Sequence, residues 1–218
     1  MLKVVVVAQL FLDLFAFSTE SILSRKVALA RLPLLHYAYP IYIYFNFSGY
    51  CDIVIGAARL IGMRLPENFD RPYLSRNMVD FWTRQHMSLS FWIRDYLFTP
   101  LYKAGAERWP RYGNSWVLLC YFVAFFLAGI WHGTTVYFVI FGLLHGLGVS
   151  VTKLWERDLI RRRGRDGWKA YLKSKSIRVI AIVVTLNFVC FAFIFFTPEP
   201  YLVFRSFWEC WRSYSTHV

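Results

Sequence analysis

The stretch Tyr112 to Thr152, YGNSWVLLCYFVAFFLAGIWHGTTVYFVIFGLLHGLGVSVT, runs for 41 positions without one Asp, Glu, Lys or Arg. A hydrocarbon core needs about 20 apolar residues per helical crossing. The run therefore suffices for two crossings, about Ser115 to Ile130 and Thr135 to Thr152, with Trp131-His132-Gly133 where the chain turns between them. An ionisable group set in so much apolar sequence costs free energy, and its default reading is functional. Gly129 and Gly133 stand four apart, as do Gly142 and Gly146, with Ser150 following. Small residues at that spacing let membrane helices approach closely, a packing signal rather than a chemical one.

The composition agrees. Hydrophobic residues make up 57% of the 218 and aromatics 20%, where a soluble domain has roughly 45–50% apolar residues. Leu32 to Cys51, Val179 to Pro198 and, weakly, Val4 to Leu12 also lack formal charge. Three crossings are expected, with one or two more from Leu32 and the N-terminal run. A signal peptide at Met1 to Phe17 is disfavoured, because no small-x-small cleavage pattern follows. The net charge of +12 does not point to nucleic acid, because ten of the basic residues fall between Lys153 and Arg178, flanked by apolar runs. Basic segments stay on the cytoplasmic side, where anionic headgroups attract them. With that segment read as a cytoplasmic loop, His132 falls at the outer end of the hairpin. Cys51, Cys120, Cys190 and Cys210 are widely spaced and read as small hydrophobes, with neither a disulfide framework nor a metal site. The expected architecture is all-α: one polytopic membrane domain over residues 1–218, in the inner (plasma) membrane.

Asp70 to Tyr102 mixes charges with aromatics and cannot be an ordinary crossing. At helical spacing Trp82, His86, Leu89 and Ile93 share one stripe, which predicts a re-entrant or interfacial amphipathic helix. Among the five histidines, His217 is terminal and His36 sits in a Tyr- and Pro-rich apolar run, which leaves three. His132 is either a packing histidine at a helix end or a base. For the second role Gly133 removes bulk beside it and Trp131 walls it from water. A desolvated imidazole is neutral and can take a proton from a hydroxyl near pH 7. His86 is either a headgroup-facing residue or its partner. His145 is either a buried polar link between helices or part of a site. No nucleophile elbow, phosphate loop, paired zinc motif or dinucleotide fingerprint is present.

Five motifs occur in order: Phe45-Asn46-Phe47-Ser48-Gly49-Tyr50; Pro66-Glu67-Asn68-Phe69-Asp70-Arg71-Pro72-Tyr73; Asp80-Phe81-Trp82 with Arg84-Gln85-His86-Met87-Ser88-Leu89-Ser90; Trp92-Ile93-Arg94-Asp95-Tyr96-Leu97; and Gly129-Ile130-Trp131-His132-Gly133 with Leu144-His145-Gly146. The ordered set, over about Tyr42 to Lys153, resembles the membrane-bound O-acyltransferase family. It is closest to the bacterial branch of alginate O-acetylation and teichoic acid D-alanylation. The resemblance implies a polytopic helical enzyme that passes an acyl group, acetyl by expectation, to a hydroxyl of an extracytoplasmic polysaccharide or cell-wall polymer. His132 is the implied catalytic residue and His86 the second. Ser88, Arg94, Asp95, Trp131, Gly133 and His145 are the expected substrate contacts, with Arg94 and Asp95 structural or channel-lining. No bound cofactor or metal is implied. The donor is a thioester such as acetyl-CoA or an acyl carrier, and a downstream acetyltransferase is a further implied partner besides membrane lipid. Family members carry several more crossings ahead of the Phe-Ser-Gly-Tyr stretch, so the chain reads as a C-terminal part or a shortened relative. Two competing readings are a catalytically inactive scaffold that holds a partner and a histidine-lined transporter or channel.

Overall fold

The structure, a computed structural model, describes residues 2–23 and 32–215, and His217 lies outside them. The described residues contain helices and turns but no strand. They form two compact units, residues 1–66 with 190–218 and residues 67–189.

In the first unit a π-helical turn, Lys3–Ala8, runs into α1 (Gln9–Leu23), which packs on α2 (Leu32–Leu60). Aromatic rings interlock the pair: Phe15 meets Tyr39 at 5.1 Å and Phe11 stacks on Phe45 at 6.3 Å. Lys3 pairs with Asp52 at 2.7 Å. Gly49 admits the N-terminal turn, since a Cβ there would lie 2.6 Å from the Val4 side chain. The helix expected over Leu32 to Cys51 forms and is long enough to cross a membrane. Its Tyr, Asn and His content, however, keeps it outside the three helices that are also apolar enough. Those three are α6 (Gly113–His132), α7 (Val136–Lys173) and α8 (Lys175–Ile194), the last passing from the second unit into the first. Pro200 opens α9 (Pro200–Ser215), where its missing N–H is no loss, and α9 packs on α1.

The second unit is built on the α6–α7 hairpin. A Cβ at Gly129 would fall on the Phe138 carbonyl oxygen and 3.2 Å from Gly142 Cα, and one at Gly142 would fall on the Phe125 carbonyl oxygen. The two helices meet backbone to backbone, as the spacing of small residues predicts.

Two expectations need correction. The basic segment after Lys153 is not a loop, because α7 continues through it to Lys173. Its helical path is interrupted at Gly164, whose φ of 68° and ψ of 178° are non-helical and suit glycine. The helix persists because its charges pair at i,i+3 and i,i+4: Lys153 with Glu156 at 3.1 Å, Arg161 and Arg162 with Asp158 at 2.8 and 2.7 Å. The segment over Asp70 to Tyr102, in turn, is not one amphipathic helix. It breaks into a 3-10 turn at Pro72–Leu74, α3 (Met78–Trp82), α4 (Met87–Trp92), a π-helical turn at Ile93–Phe98 and the start of α5 (Thr99–Arg108). Trp82 and His86 therefore do not share a helical stripe.

Candidate active site

The break between α3 and α4 is held by hydrogen bonds that local periodicity does not reveal. Asn77 caps α3, its side-chain oxygen accepting from the Asp80 N–H at 2.8 Å. Asp80 then accepts from Arg84 Nε at 2.7 Å and from the Arg76 N–H at 3.0 Å. Asp70 approaches the same guanidinium at 3.6 Å, and its N–H donates to the Arg84 carbonyl at 2.9 Å. Hydrogen bonding to Asp80 pushes Arg84 further toward its charged form. The first N–H groups of a helix have no partner inside it. For α4 that partner is Asn68, 20 residues upstream. Its carbonyl accepts from the Met87 N–H at 2.9 Å, and its side-chain oxygen accepts from both the N–H and the hydroxyl of Ser88 at 3.0 Å.

His86 sits in this turn with φ 46° and ψ 55°. A left-handed conformation costs a residue with a Cβ roughly 1–2 kcal/mol, and strain of this kind gathers at functional sites. The Asn68 clamp on the next two residues holds it there. Burial pulls the His86 imidazole below the ordinary histidine value, which leaves it neutral near pH 7.

His132 is the last residue of α6. Gly133 ends the helix in extended backbone, and Thr135 precedes α7. Rings surround the imidazole: Trp131 edge-on at 4.7 Å, Phe138 at 6.3 Å and Phe141 perpendicular at 6.1 Å. It remains partly exposed. Phe141 is shared, since its other neighbour is His145 at 4.4 Å. His145 has no exposed surface and is enclosed by Phe81, Trp82, Phe125 and Phe141, all within 6.4 Å between centroids. Three sequence-distant histidines thus converge. His86 and His132 lie within electrostatic range of each other, and so do His132 and His145.

The structure redistributes the expected contact residues. Gly133 does not open a path to His132, because the Phe138 ring occupies the space a side chain would take. Trp131 touches His132 but is 66% exposed, so it caps one edge rather than sealing the site. The Ser88 hydroxyl is committed to Asn68. His145 is fully buried and joins α3 to the hairpin. Arg94 and Asp95 pair with each other at 2.7 Å, each driving the other further toward its charged form. Arg94 also lies over Phe91 at 4.9 Å and lines a cavity of about 270 Å³ with Trp82, Ser90, Tyr121 and Lys153. Neither His86 nor His132 lines that cavity, but Trp82 connects it to the His145 cage. Asn68, Gln85 and Phe141 are positions that pattern alone misses. Asn68 and Gln85 lie inside quoted motifs, yet their roles are set by distant partners. Gln85 is buried with an amide oxygen that accepts no hydrogen bond among the described residues. No cluster of three metal-ligating side chains occurs among the described residues, and Cys51, Cys120 and Cys190 are free thiols.

The profile of MBOAT, the membrane-bound O-acyltransferase family, matches residues 5–194. Teichoic acid D-alanyltransferase of Bacillus subtilis is 34% identical over 166 residues, 76% of this chain and 40% of that protein. Peptidoglycan O-acetyltransferase of Helicobacter pylori is 32% identical over 162 residues, 74% of this chain and 28% of its own length. A protein named "Probable alginate O-acetylase AlgI" from Pseudomonas syringae is 40% identical over 116 residues, 53% of this chain and 21% of that protein. The chain spans less than half the length of each.

Proposed function

The chain belongs to the membrane-bound O-acyltransferase family, and on that footing we propose that it carries the histidine centre of an O-acyltransferase acting at the cell envelope. The observation that supports this most directly is the convergence of His132 and His86. They come from separate elements, and the backbone of His86 is held in a strained conformation. His132 acts as general base on an acceptor hydroxyl. Its ring nitrogen takes the hydroxyl proton as the oxygen attacks the carbonyl carbon of a thioester donor. The new C–O bond forms, the C–S bond breaks, and the proton passes on to the leaving thiolate. His86, neutral near pH 7, orients the acceptor or the carbonyl.

A positioned base supplies roughly 10²–10⁴-fold, so the remaining acceleration comes from holding donor and acceptor together away from water. The acceptor class is a hydroxyl of an extracytoplasmic polysaccharide or cell-wall polymer, as the names of the relatives suggest. The donor is acetyl-CoA or an acyl carrier thioester, and the protein is a multi-pass component of the plasma membrane. The test is acyl transfer from a labelled thioester to polymer in membranes bearing the wild-type protein or His132→Ala at equal abundance. Loss of transfer is expected. Undiminished transfer by the variant would overturn the assignment of His132.

A further inference from the structure

Apart from the histidine centre, a larger cavity of about 470 Å³ lies in the second unit, between the basic end of α7, the first half of α8 and the residues just before α3. Its lining is largely apolar and includes Leu147, Val184 and Phe188. Its rim carries two guanidinium groups, Arg76 and Arg178. Among the described residues no carboxylate pairs with either one. Among the described residues the Arg76 head group donates to the Leu172 carbonyl, at 3.3 Å. Trp155, Trp168 and Tyr171 stand at the same end, and such amphipathic rings favour the headgroup level of a bilayer.

From Arg178 to Phe188 α8 advances ten residues, about 15 Å at 1.5 Å per residue. That is about the hydrocarbon depth of one leaflet, half of roughly 30 Å. The walls are parts of two helices long and apolar enough to cross a membrane, and Val151, Ile180 and Val184 are more than half exposed.

We propose that this groove is a binding site for one anionic glycerophospholipid, with its phosphate between Arg76 and Arg178 and one acyl chain along α7 and α8. Two uncompensated cations at the mouth of an apolar slot one leaflet deep match a ligand with a phosphate joined to a hydrocarbon chain. A free anion would leave the slot unfilled, and a zwitterionic lipid would set its own cation against the arginines. The site is independent of the acyl-transfer reading, because none of these residues belongs to the histidine centre.

The experiment is native mass spectrometry of the detergent-solubilised full chain, titrated with phosphatidylglycerol or with phosphatidylcholine of the same chains. Each basic side chain near a headgroup surface contributes about fivefold in affinity, so the wild type should prefer the anionic lipid by roughly 30-fold. Arg76→Gln/Arg178→Gln should bring the two lipids level. Arg76→Lys/Arg178→Lys, which keeps the charge, should hold most of the preference and excludes misfolding as the cause. Equal binding of both lipids by the wild type would overturn the proposal. So would an unchanged preference in the Gln variant, or displacement of the lipid by millimolar glycerol 3-phosphate.

Discussion

His132 and His145 stand on one helical hairpin, yet their surroundings differ in kind. His145 is enclosed by four aromatic rings with no exposed surface. His132 ends a helix, partly exposed, within range of a second histidine on a strained turn. The same residue type thus stands in two settings. Packed against Phe81, Trp82, Phe125 and Phe141, it joins α3 to α6 and α7. At a helix end, where no following turn covers it, it stays partly exposed. The Phe141 ring contacts both histidines.

That division can be broken by experiment. The largest effect belongs to His132→Ala, expected to lower acyl transfer by about 10²–10⁴-fold with little change in thermal unfolding. Equal losses of activity and stability would erase the contrast. His145→Ala should do the reverse. Emptying a closed aromatic cage costs roughly 2–5 kcal/mol, visible as a lower unfolding midpoint, while transfer per folded molecule stays within severalfold of wild type. Wild-type stability together with lost turnover would move His145 into the chemistry.

A smaller effect is expected at Asn68. Asn68→Ala removes the acceptor for two donors at the start of α4, about 1–2 kcal/mol, and frees His86 from its conformation. Asn68→Asp, which keeps the acceptor, should recover most of the transfer. If Ala and Asp behave alike in transfer assays, the clamp does not position His86.

The gentlest test is pH. The folded state holds His86 below its ordinary value of 6.5, so the unfolded chain takes up its proton first as pH falls. Stability from this group is complete above 6.5 and declines as pH drops through that value toward the folded one. Transfer that needs the neutral ring should show an acid limb below 6.5, and His86→Gln should abolish that limb. A limb unchanged in the variant assigns it to another group.

Much of the hairpin was legible in the chain itself. The uncharged run gave two crossings, and the glycines at four-residue spacing gave their close contact, because both depend on composition and short-range periodicity. The ordered motifs pointed to the family. The segment from Asp70 to Tyr102 departs from the single helix its periodicity predicts for a physical reason. Its apolar stripe is compatible with 3.6-residue periodicity, but Asn68 and Asp70 offer acceptors and donors that reward breaking the helix at Arg84–Met87. The dense charge of the basic segment predicts a solvated loop, whereas its acidic residues fall at the spacing that supports a helix.

By itself, then, the sequence determined an all-helical membrane protein of this family, with histidines set in unusually apolar surroundings. Hydrophobic length and residue order are properties of the chain alone. Tertiary structure decided which histidine is sealed and which is open, that Ser88 serves Asn68, that Phe138 fills the space beside Gly133, and that two arginines stand uncompensated over an apolar groove. Each of these depends on groups far apart in sequence meeting in space, and no local pattern encodes where such partners lie.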